Sequence, residues 1–553
     1  MSLASPPSTR GEITLTTVFN CGGSVVDVRG TTRGLMMGEE LSVEESRRVG
    51  VAEGEAPAHA TQYYAALAAT MGALALGCVI GYSSPAGPYL LAHTTATPQL
   101  LTNLTDDSQT QVRERLQLNQ EEYNWFSSSP NLGAVCGGLL GGPAINSVGR
   151  RATMMTSAVI FVCGWLMIAF TNNLGVLVCG RVVTGVSMGL TSTAAPPYIG
   201  ELASPDIRGT LGGGFQVMLT TGILFTFVVG EVVSSWRWLA AWCVVPPTLY
   251  FILVFFAKES PTFLVAKGRH KEAAESLQYF RGQHYNIQPE LDMMRKTQDE
   301  AKETKASLKD FGASNILKPL IISLALMVFQ QFSGVPAVIF NMSTVFKESG
   351  SGLSEGVSAV VVGVVQVVAT GSATLLMDRA GRRTLLLLSA SLMTVSIVSL
   401  GIYFYVREAG ATMGWLPLIS LIVFITAFSL GFGPVPWVMM GEVFPGGVRE
   451  VTACLAAAIN WTSAFIITLI FLPIRNTLGD YGVYWLFGVV NLCALLFTFL
   501  VVPETKGKTL QEITAYFRNS SNSTRFFVRN LDNRRTREVT PAPVWPGADC
   551  RRA

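Results

Sequence analysis

The chain contains twelve stretches of predominantly apolar residues, each long enough to cross a lipid bilayer as an α-helix. A spanning helix needs about 20 such residues, and its backbone must satisfy its own hydrogen bonds because the hydrocarbon holds no water. The stretches lie at about 63–90, 123–146, 153–171, 174–197, 210–232, 236–257, 318–345, 353–377, 384–405, 413–440, 450–473 and 483–502. They predict an all-α membrane protein with twelve transmembrane helices.

The composition supports this class and argues against several others. Of the 553 residues, 49% are hydrophobic and only 14% are charged, whereas about a quarter of the residues are charged in an average soluble domain. A net charge of +3 gives no basis for a nucleic-acid partner. The nine cysteines and four histidines show no metal-ligand spacing. We therefore expect no metal, no cofactor and no catalytic constellation, so the protein is not expected to be an enzyme.

Positive charges beside the apolar stretches predict the orientation in the membrane. Arginine pairs follow the second and eighth stretches, at 150–151 and 382–383, and such residues collect on the cytoplasmic side. Both termini are then cytoplasmic. The predicted regions are a disordered N-terminal tail (1–62), a six-helix bundle (63–257), a cytoplasmic helical linker domain (258–317), a second six-helix bundle (318–502) and a cytoplasmic C-terminal tail (503–553).

Two charged motifs occur once in each half of the chain. The triplet GRR at 149–151 recurs at 381–383, and GELASPDIRG from residue 200 is echoed by GEVFPGGVRE from residue 441. Such repeats indicate two similar bundles with a polar site between them, opened to each side in turn by rocking. Charges at these positions either set the topology alone or form gating salt bridges. The predicted gating residues are Arg150, Glu201, Arg208, Asp378, Arg382, Glu442 and Arg449.

The motifs, taken in order, resemble those of the sugar porters of the major facilitator superfamily. Within that superfamily the chain is similar to the class III facilitative glucose transporters and to the facilitated trehalose transporters. The motifs are GYSSPA (81–86), GRVVTG (180–185), QQFSG (330–334), MDRAGRR (377–383), GPVPW (433–437), NWT (460–462) and PETKGKTL (503–510). The resemblance extends from about Tyr63 to Phe517 and implies the major facilitator fold, with two six-helix bundles and a small cytoplasmic helical domain between them.

The resemblance also implies a function and a site. It implies facilitative transport of a sugar, a hexose such as glucose, by alternating access. A sugar needs amides that donate and accept hydrogen bonds and aromatic planes for its apolar faces, without formal charge. The family's sugar-contacting positions correspond here to Gln216, Gln330, Gln331, Gln366, Trp437, Asn460 and Trp461. The alternative interpretation of these amides is that they join helices by hydrogen bonds.

The mode of transport is predicted from groups that the sequence lacks. The segment GCVIGYSSP at 77–85, within the first apolar stretch, contains no acidic residue. A buried carboxylate is the simplest proton carrier. No ATP-binding GxxxxGK[ST] loop occurs either. Passive uniport is therefore favoured. Proton-coupled symport and a sugar sensor that does not transport remain the alternatives.

Further details of the sequence bear on specificity and on partners. Pro336 and Asn341 stand where the family usually has an asparagine and an aromatic residue, so the identity of the sugar stays open.

GFGPVPW at 431–437 predicts a broken helix, because proline lacks a backbone N–H. Asn103 lies in the sequon Asn-Leu-Thr and is a predicted glycosylation site. The expected partners are a sugar and the lipid bilayer, a monomer should suffice, and the predicted address is the plasma membrane or the endosomal or lysosomal membrane.

Overall fold

A computed structural model describes residues 59–91, 116–303, 314–340, 342, 354–408, 415–444, 446–506, 508, 512, 516 and 517. These residues are organised mainly as α-helices. The helices are α1 (Ala60–Gly81), α2 (Ser83–Leu90), α3 (Gln120–Ser147), α4 (Arg150–Phe170), α5 (Leu174–Leu202), α6 (Arg208–Val232), α7 (Trp236–Trp242), α8 (Val245–Phe256), α9 (Pro261–Ala266), α10 (His270–Arg281), α11 (Gln288–Glu303), α12 (Ser314–Phe332), α13 (Val335–Phe340), α14 (Glu355–Ala380), α15 (Arg382–Glu408), α16 (Trp415–Leu430), α17 (Val435–Val443) and α18 (Gly446–Val501).

Ten helical stretches in the described part of the chain are long and apolar enough to cross a membrane. An all-helical membrane protein was predicted, but with twelve segments, and the two numbers differ for two reasons. Helix α3 is not among the ten, because it carries several serines and glycines in addition to its apolar residues. Helix α18 counts as one stretch, although Gly479 within it has a non-helical backbone with φ 74° and ψ 173°.

Polar caps and glycines fix where several helices begin. Asn119 accepts a hydrogen bond from the backbone N–H of Glu122, and the Glu122 carboxylate accepts one from the N–H of Asn119, which is a capping box. Helices α4 and α15 each start directly after a glycine with positive φ, Gly149 (102°) and Gly381 (90°). Glycine adopts this backbone conformation without the steric cost of a Cβ atom. The two GRR motifs are therefore sharp helix starts.

Helices α3 and α5 pack with their backbones in close contact. A Cβ atom at Gly133 would lie 2.1 Å from the carbonyl oxygen of Val182, and one at Gly137 would lie 2.0 Å from that of Val186. Small residues at helix contacts let backbones approach in this way, and membrane helices depend on such packing because burial from lipid gives little hydrophobic driving force. The glycines of α3 that lower its hydropathy are thus packing residues.

Buried apolar clusters connect the two halves of the chain. The cluster formed mainly by α1–α7 also contains Trp461 and Ala464 of α18. The cluster formed mainly by the second half also contains Ile223 and Phe227 of α6. Helix α3 accordingly contacts α18, and α6 contacts α14. In the described residues the two halves therefore meet mainly along two pairs of helices, each with one member from each half.

The helical segment α9–α11 packs against the helices of the first half. Its own core includes Phe263, Leu277 and Leu291. Gln62 at the start of α1 donates a hydrogen bond to the carbonyl oxygen of Phe280 at 3.0 Å and accepts one from the N–H of Ser204 at 2.8 Å. One buried amide thus connects the end of α10, the start of α1 and the chain after α5.

Replacement of Gly133 by alanine should destabilise the protein by about 1–3 kcal/mol, since the new methyl group would overlap the backbone of α5. The control is Gly212→Ala in α6, where a Cβ atom would meet no atom within 4 Å. Alanine there should leave stability unchanged or slightly raised, because alanine favours a helix more than glycine does. Thermal unfolding of the purified variants in detergent measures the stability of each. Equal midpoints for the two variants would contradict the close packing of α3 and α5.

Candidate functional site

Two neighbouring helices of the second half are broken at the same level. Helix α12 ends at Phe332 and α13 starts at Val335, and Gly334 between them has φ 96°. Helix α16 ends at Leu430 and α17 starts at Val435, so the break predicted from GFGPVPW is confirmed. A broken helix inside a membrane protein leaves backbone groups without partners, and these groups must be satisfied by side chains or by a ligand.

The side chain of Gln330 satisfies the carbonyl groups at the second break. In an unbroken helix the oxygen of Phe432 would accept a hydrogen bond from the N–H of residue 436, but residue 436 is proline and has no N–H. The Gln330 Nε2 group donates instead, at 2.6 Å to the oxygen of Phe432 and at 2.8 Å to that of Gly433. Gln330 is 3% exposed. This amide therefore bridges the two broken helices.

Three of the predicted amides form one hydrogen-bonded cluster. Asn460 Nδ2 donates to Gln330 Oε1 at 2.6 Å, and Gln331 Nε2 donates to Asn460 Oδ1 at 2.9 Å and to Gln330 Oε1 at 3.3 Å. The Gln330 amide thus has all its hydrogen-bonding capacity in use. Gln331 is half-buried, and its Oε1 has no hydrogen-bond partner among the described residues. Gln331 is therefore the member of the cluster best placed to turn towards a ligand.

Two polar residues at the breaks were not predicted. Asn491 of α18 donates from Nδ2 to the carbonyl oxygen of Ser333 at 3.0 Å, and Ser389 Oγ accepts from the N–H of Phe432 at 3.2 Å. Asn491 is an isolated polar residue in the last apolar stretch, which was a visible signal. Its partner could not be predicted, because the contact depends on how α18 packs against the first break.

The other four predicted sugar-binding residues are not hydrogen-bonded to this cluster in the described contacts. Gln216 lies on α6 and the buried Gln366 on α14, two helices that pack together from opposite halves. Within the described residues neither amide side chain has a hydrogen-bond partner. Trp461 is buried with its Nε1 group unpaired, and Trp437 packs against the same apolar cluster as Trp461. Unpaired amides and indole groups of this kind suit a neutral hydroxylated ligand.

The site described above consists of neutral polar groups. Among the described residues, no group of three or more histidine, cysteine, aspartate or glutamate side chains could hold a metal ion. The polar groups at the helix breaks are amides and hydroxyls, which bind and orient neutral molecules. Recognition of a polar uncharged solute is what such a site can do.

The first GRR motif forms a charged network at the end of its helix bundle. Arg150 donates from Nε and Nη2 to one oxygen of Glu201, at 3.2 and 2.9 Å. The other oxygen of Glu201 accepts a hydrogen bond from Ser260 Oγ. The backbone N–H groups of Arg150 and Arg151 donate to Glu259 at 3.1 Å. One arginine and two carboxylates thereby join α4, α5 and the chain after α8.

The second GRR motif forms a matching network in the other half. Arg382 donates to Glu442 at 3.1 and 2.7 Å, and Thr505 Oγ1 donates to the second Glu442 oxygen at 2.7 Å. The N–H groups of Arg382 and Arg383 donate to Glu504 at 3.0 and 3.1 Å. Each network lies within its own half of the chain, so each joins helices of that half to one another.

The other predicted gating residues and the predicted glycosylation site are not described as part of these two networks. Arg208 is exposed and donates to the carbonyl oxygen of Ala203 at 3.2 Å, while Glu201 pairs with Arg150. The side chains of Asp378 and Arg449 lie outside the described residues, as does Asn103 with its whole segment.

A third repeated motif completes the two networks and was not recognised in the sequence. Glu259-Ser260 in the first half corresponds to Glu504-Thr505 in the second, because each carboxylate caps a GRR helix and each hydroxyl donates to the glutamate of the GE motif. An acid followed by a hydroxyl residue is too common a pair to be noticed in a sequence. The structure shows the correspondence through identical partners.

The pKa of Glu504 is lower than that of an ordinary glutamate. Burial by itself would raise this pKa, but the backbone N–H groups of Lys506, Arg382, Arg383 and Thr505 stabilise the charged carboxylate and lower it. The positive end of the helix starting at Arg382 acts in the same direction. Glu504 therefore contributes to stability in its ionised form.

Arg181 of α5 is a fully buried cation in the first half of the chain. Its guanidinium donates to Ser83 Oγ at 2.7 Å and to the carbonyl oxygen of Val79 at 3.1 Å. It also lies 5.4 Å from the ring centre of Tyr82 and 5.1 Å from that of Phe126. In the part of the chain that the structure describes, no carboxylate forms an ion pair with it. Hydroxyl, carbonyl and aromatic groups stabilise its charge instead.

The sequence and the structure both resemble those of known proteins. The family model described as "Sugar (and other) transporter" matches residues 65–517. A facilitated trehalose transporter of Apis mellifera ligustica is 38% identical over 82% of this chain and 88% of its own length. One of Bombyx mori is 37% identical over 86% of this chain and 90% of its own length.

Solved structures with the same fold include the major facilitator superfamily proton:xylose symporter XylE bound to 6-bromo-6-deoxy-D-glucose. Its TM-score is 0.67 at 26% identity, covering 82% of this chain and 99% of that chain. The partially occluded inward open conformation of the xylose transporter XylE from E. coli gives a TM-score of 0.66 at 25% identity, covering 81% and 99%.

Replacement of Gln330 by leucine should destabilise the protein by about 1–3 kcal/mol, because the carbonyl oxygens of Phe432 and Gly433 would lose their donor and Asn460 Nδ2 would lose its amide acceptor. Addition of Pro436→Ala should recover part of this loss, since residue 436 then has an N–H that can reach Phe432 O. Thermal unfolding in detergent compares the single and double variants with Pro436→Ala alone. If the double variant is no more stable than Gln330→Leu, the missing N–H of Pro436 does not explain the position of Gln330.

Replacement of Glu504 by glutamine should lower stability by about 1 kcal/mol at pH 7, the usual effect of losing a helix cap. Because the folded-state pKa is lowered, this contribution is complete above the ordinary value of 4.5 and is lost as the pH falls through the lower folded-state value. The wild type and the variant should therefore converge at acid pH in thermal unfolding. Glu272→Gln, which changes an exposed ion pair, is the control and should have little effect. A difference that grows on acidification would contradict the role of Glu504.

Proposed function

This chain belongs to the sugar (and other) transporter family, and we propose that it is a uniporter that carries a sugar across the membrane down its gradient. Membership makes it a multi-pass membrane protein with the major facilitator fold, and a sugar transporter rather than an enzyme. The proposal goes further in three respects, which are the passive mode, the sugar and the path through the two bundles.

The passive mode is supported by the surroundings of Arg181. A proton-coupled carrier needs a group that gains and loses a proton during the cycle, and a carboxylate beside a buried cation is a suitable one. Here the partner of Arg181 is the hydroxyl of Ser83, which does not ionise in the physiological range. XylE is named a proton:xylose symporter, so symport is the second candidate. The contact of Arg181 with Ser83 is the observation that favours uniport.

The proposed substrate is a neutral sugar, with a hexose such as glucose as the first candidate. The relatives at 37–38% identity are named facilitated trehalose transporters, which makes the disaccharide trehalose the second candidate. Pro336 lies buried in α13, and its side chain cannot form a hydrogen bond to a sugar hydroxyl. The proposed binding residues are Gln216, Gln330, Gln331, Gln366, Trp437, Asn460 and Trp461, with Gln331 as the group that turns to the sugar.

The proposed architecture is twelve spanning helices in two bundles of six. To the ten apolar candidates we add α3, and we divide the stretch 451–501 at Gly479. The bundles cover 63–257 and 318–502, and α9–α11 lie in a cytoplasmic domain between them, over 258–317. The tails 1–62 and 503–553 are proposed to be cytoplasmic, as are the GRR ends of the bundles.

The proposed gating mechanism uses the charged networks as the rigid ends of the bundles. The pairs Arg150–Glu201 and Arg382–Glu442 fix the helices of each half to one another, so each bundle rocks as a body. Arg208, Asp378 and Arg449 are proposed to form contacts between the halves when the cytoplasmic side closes. The exposed position of Arg208 in this conformation suits such a role.

Transport assays in proteoliposomes test this proposal. Labelled glucose or trehalose should enter and equilibrate, and an imposed proton gradient should not drive accumulation above equilibrium. Gln331→Ala should raise the KM by about tenfold, because a hydrogen bond to the sugar is lost, and should lower the thermal-unfolding midpoint less than Gln330→Leu does, because it removes fewer hydrogen bonds within the cluster. Protein-free liposomes give the background. Accumulation that requires the proton gradient would establish symport, and absence of flux with intact sugar binding would establish a sensor.

A further inference from the structure

We propose that Glu231 is a gate residue, which holds the two halves of the protein together on the face opposite to the GRR networks. The contact comprises Glu231 of α6 with Ser354 and Gly356 at the start of α14, and we call it the Glu231 latch. The inference rests on the proposed alternating access, because a gate is needed only if the two halves separate on this face during the cycle.

The geometry places the carboxylate of Glu231 directly on the start of α14. Glu231 Oε1 accepts a hydrogen bond from Ser354 Oγ at 3.2 Å, and Ser354 Oγ in turn accepts one from the N–H of Val357 at 3.2 Å. A Cβ atom at Gly356 would lie 1.5 Å from Glu231 Oε2, so only glycine permits this approach. The first N–H groups of a helix are unpaired and carry partial positive charge, which attracts a carboxylate.

The latch joins one half of the chain to the other at one end of α14. Helix α6 belongs to the first half and α14 to the second. The second GRR network begins beyond the opposite end of α14, roughly 40 Å away along a helix of 26 residues. The latch and the GRR networks therefore lie at opposite ends of the spanning helices.

Other contacts between the halves lie in the half of α3 that is farther from the first GRR motif. Asn124 Nδ2 donates to the carbonyl oxygen of Leu469 at 2.7 Å, and Asn131 Nδ2 donates to Thr468 Oγ1 at 3.3 Å. These contacts connect α3 with α18, the second pair of helices along which the halves meet. Opening of this face must break the neutral contacts and the latch together. Glu231 adds a charge to them, and its side chain is exposed, so its effect on the conformational balance should be moderate.

Two independent substitutions disturb the latch from its two sides. Glu231→Gln neutralises the carboxylate, which is the part of the latch that the first half contributes. Gly356→Ala adds a methyl group in the second half that displaces the carboxylate, and it does not weaken α14, because alanine favours a helix more than glycine does. In a Glu231→Ala background, Gly356→Ala should have no further effect, since no carboxylate remains to be displaced. Glu122→Gln is the control, because the Glu122 carboxylate caps its own helix within the first half.

The conformational readout is the reactivity of a cysteine introduced at Ala464. This residue of α18 is 2% exposed within the apolar cluster formed mainly by the first half, so it becomes accessible when the halves separate. Purified protein in detergent is labelled with a polar maleimide. The labelling rate of each variant is corrected by subtracting the rate of the same variant without the cysteine at position 464. Glu231→Gln and Gly356→Ala should each raise the rate by roughly two- to fivefold, the range expected for a charge at a helix start.

The outcomes decide the proposal without reference to sugar flux. An equal rise in both variants, with no further rise in the double variant and none in Glu122→Gln, supports the latch. An unchanged rate in Glu231→Gln, or a Gly356→Ala effect that persists without the carboxylate, overturns it. If the wild type carries no sugar, the uniport proposal fails, and the labelling rates still decide whether Glu231 holds the halves together.

Discussion

A backbone carbonyl in the interior of a membrane protein must find a hydrogen-bond donor, and this requirement explains the centre of the second bundle. Pro436 removes the N–H that would have paired with Phe432 O, and Gln330 supplies the missing donor from the neighbouring broken helix. The remaining atoms of this amide are then fixed, which orients Asn460 and Gln331 around it. A polar cluster with one adaptable member results from a backbone defect, because each fixed group determines the position of the next.

The two faces of the protein are held by different kinds of interaction. On the GRR face, ion pairs and helix caps connect helices within a half, and the second half repeats the contacts of the first. On the opposite face, hydrogen bonds that Asn124 and Asn131 donate and one that Glu231 accepts connect one half to the other. Rigid bundles with separable contacts between them are what a rocking carrier requires. This difference between the faces agrees with the alternating access that we propose.

Much of this organisation was predictable from the chain, and the exceptions have physical causes. The GFGPVPW break could be predicted because proline and glycine act locally, through the backbone of their own segment. The pairing of Glu201 with Arg150 rather than Arg208 could not, since residues far apart in sequence become neighbours only when α4 and α5 pack. For the same reason Asn491 and Glu259 were not recognised. Helix α3 was predicted to be a span from its length, and its close packing against α5 explains why its hydropathy is low.

The sequence by itself determined that the chain is a helical membrane protein with two related halves, that one helix breaks at 431–434, and that neutral amides lie inside apolar stretches. These properties depend on composition, spacing and local backbone chemistry, which are independent of the partners of each residue. Only the tertiary structure decided that Gln330 pairs with backbone carbonyls, that Arg181 is paired with a hydroxyl, and that Glu231 lies on the start of α14. A hydrogen bond or a charge interaction requires two groups within a few ångströms, and helix packing alone brings those groups together.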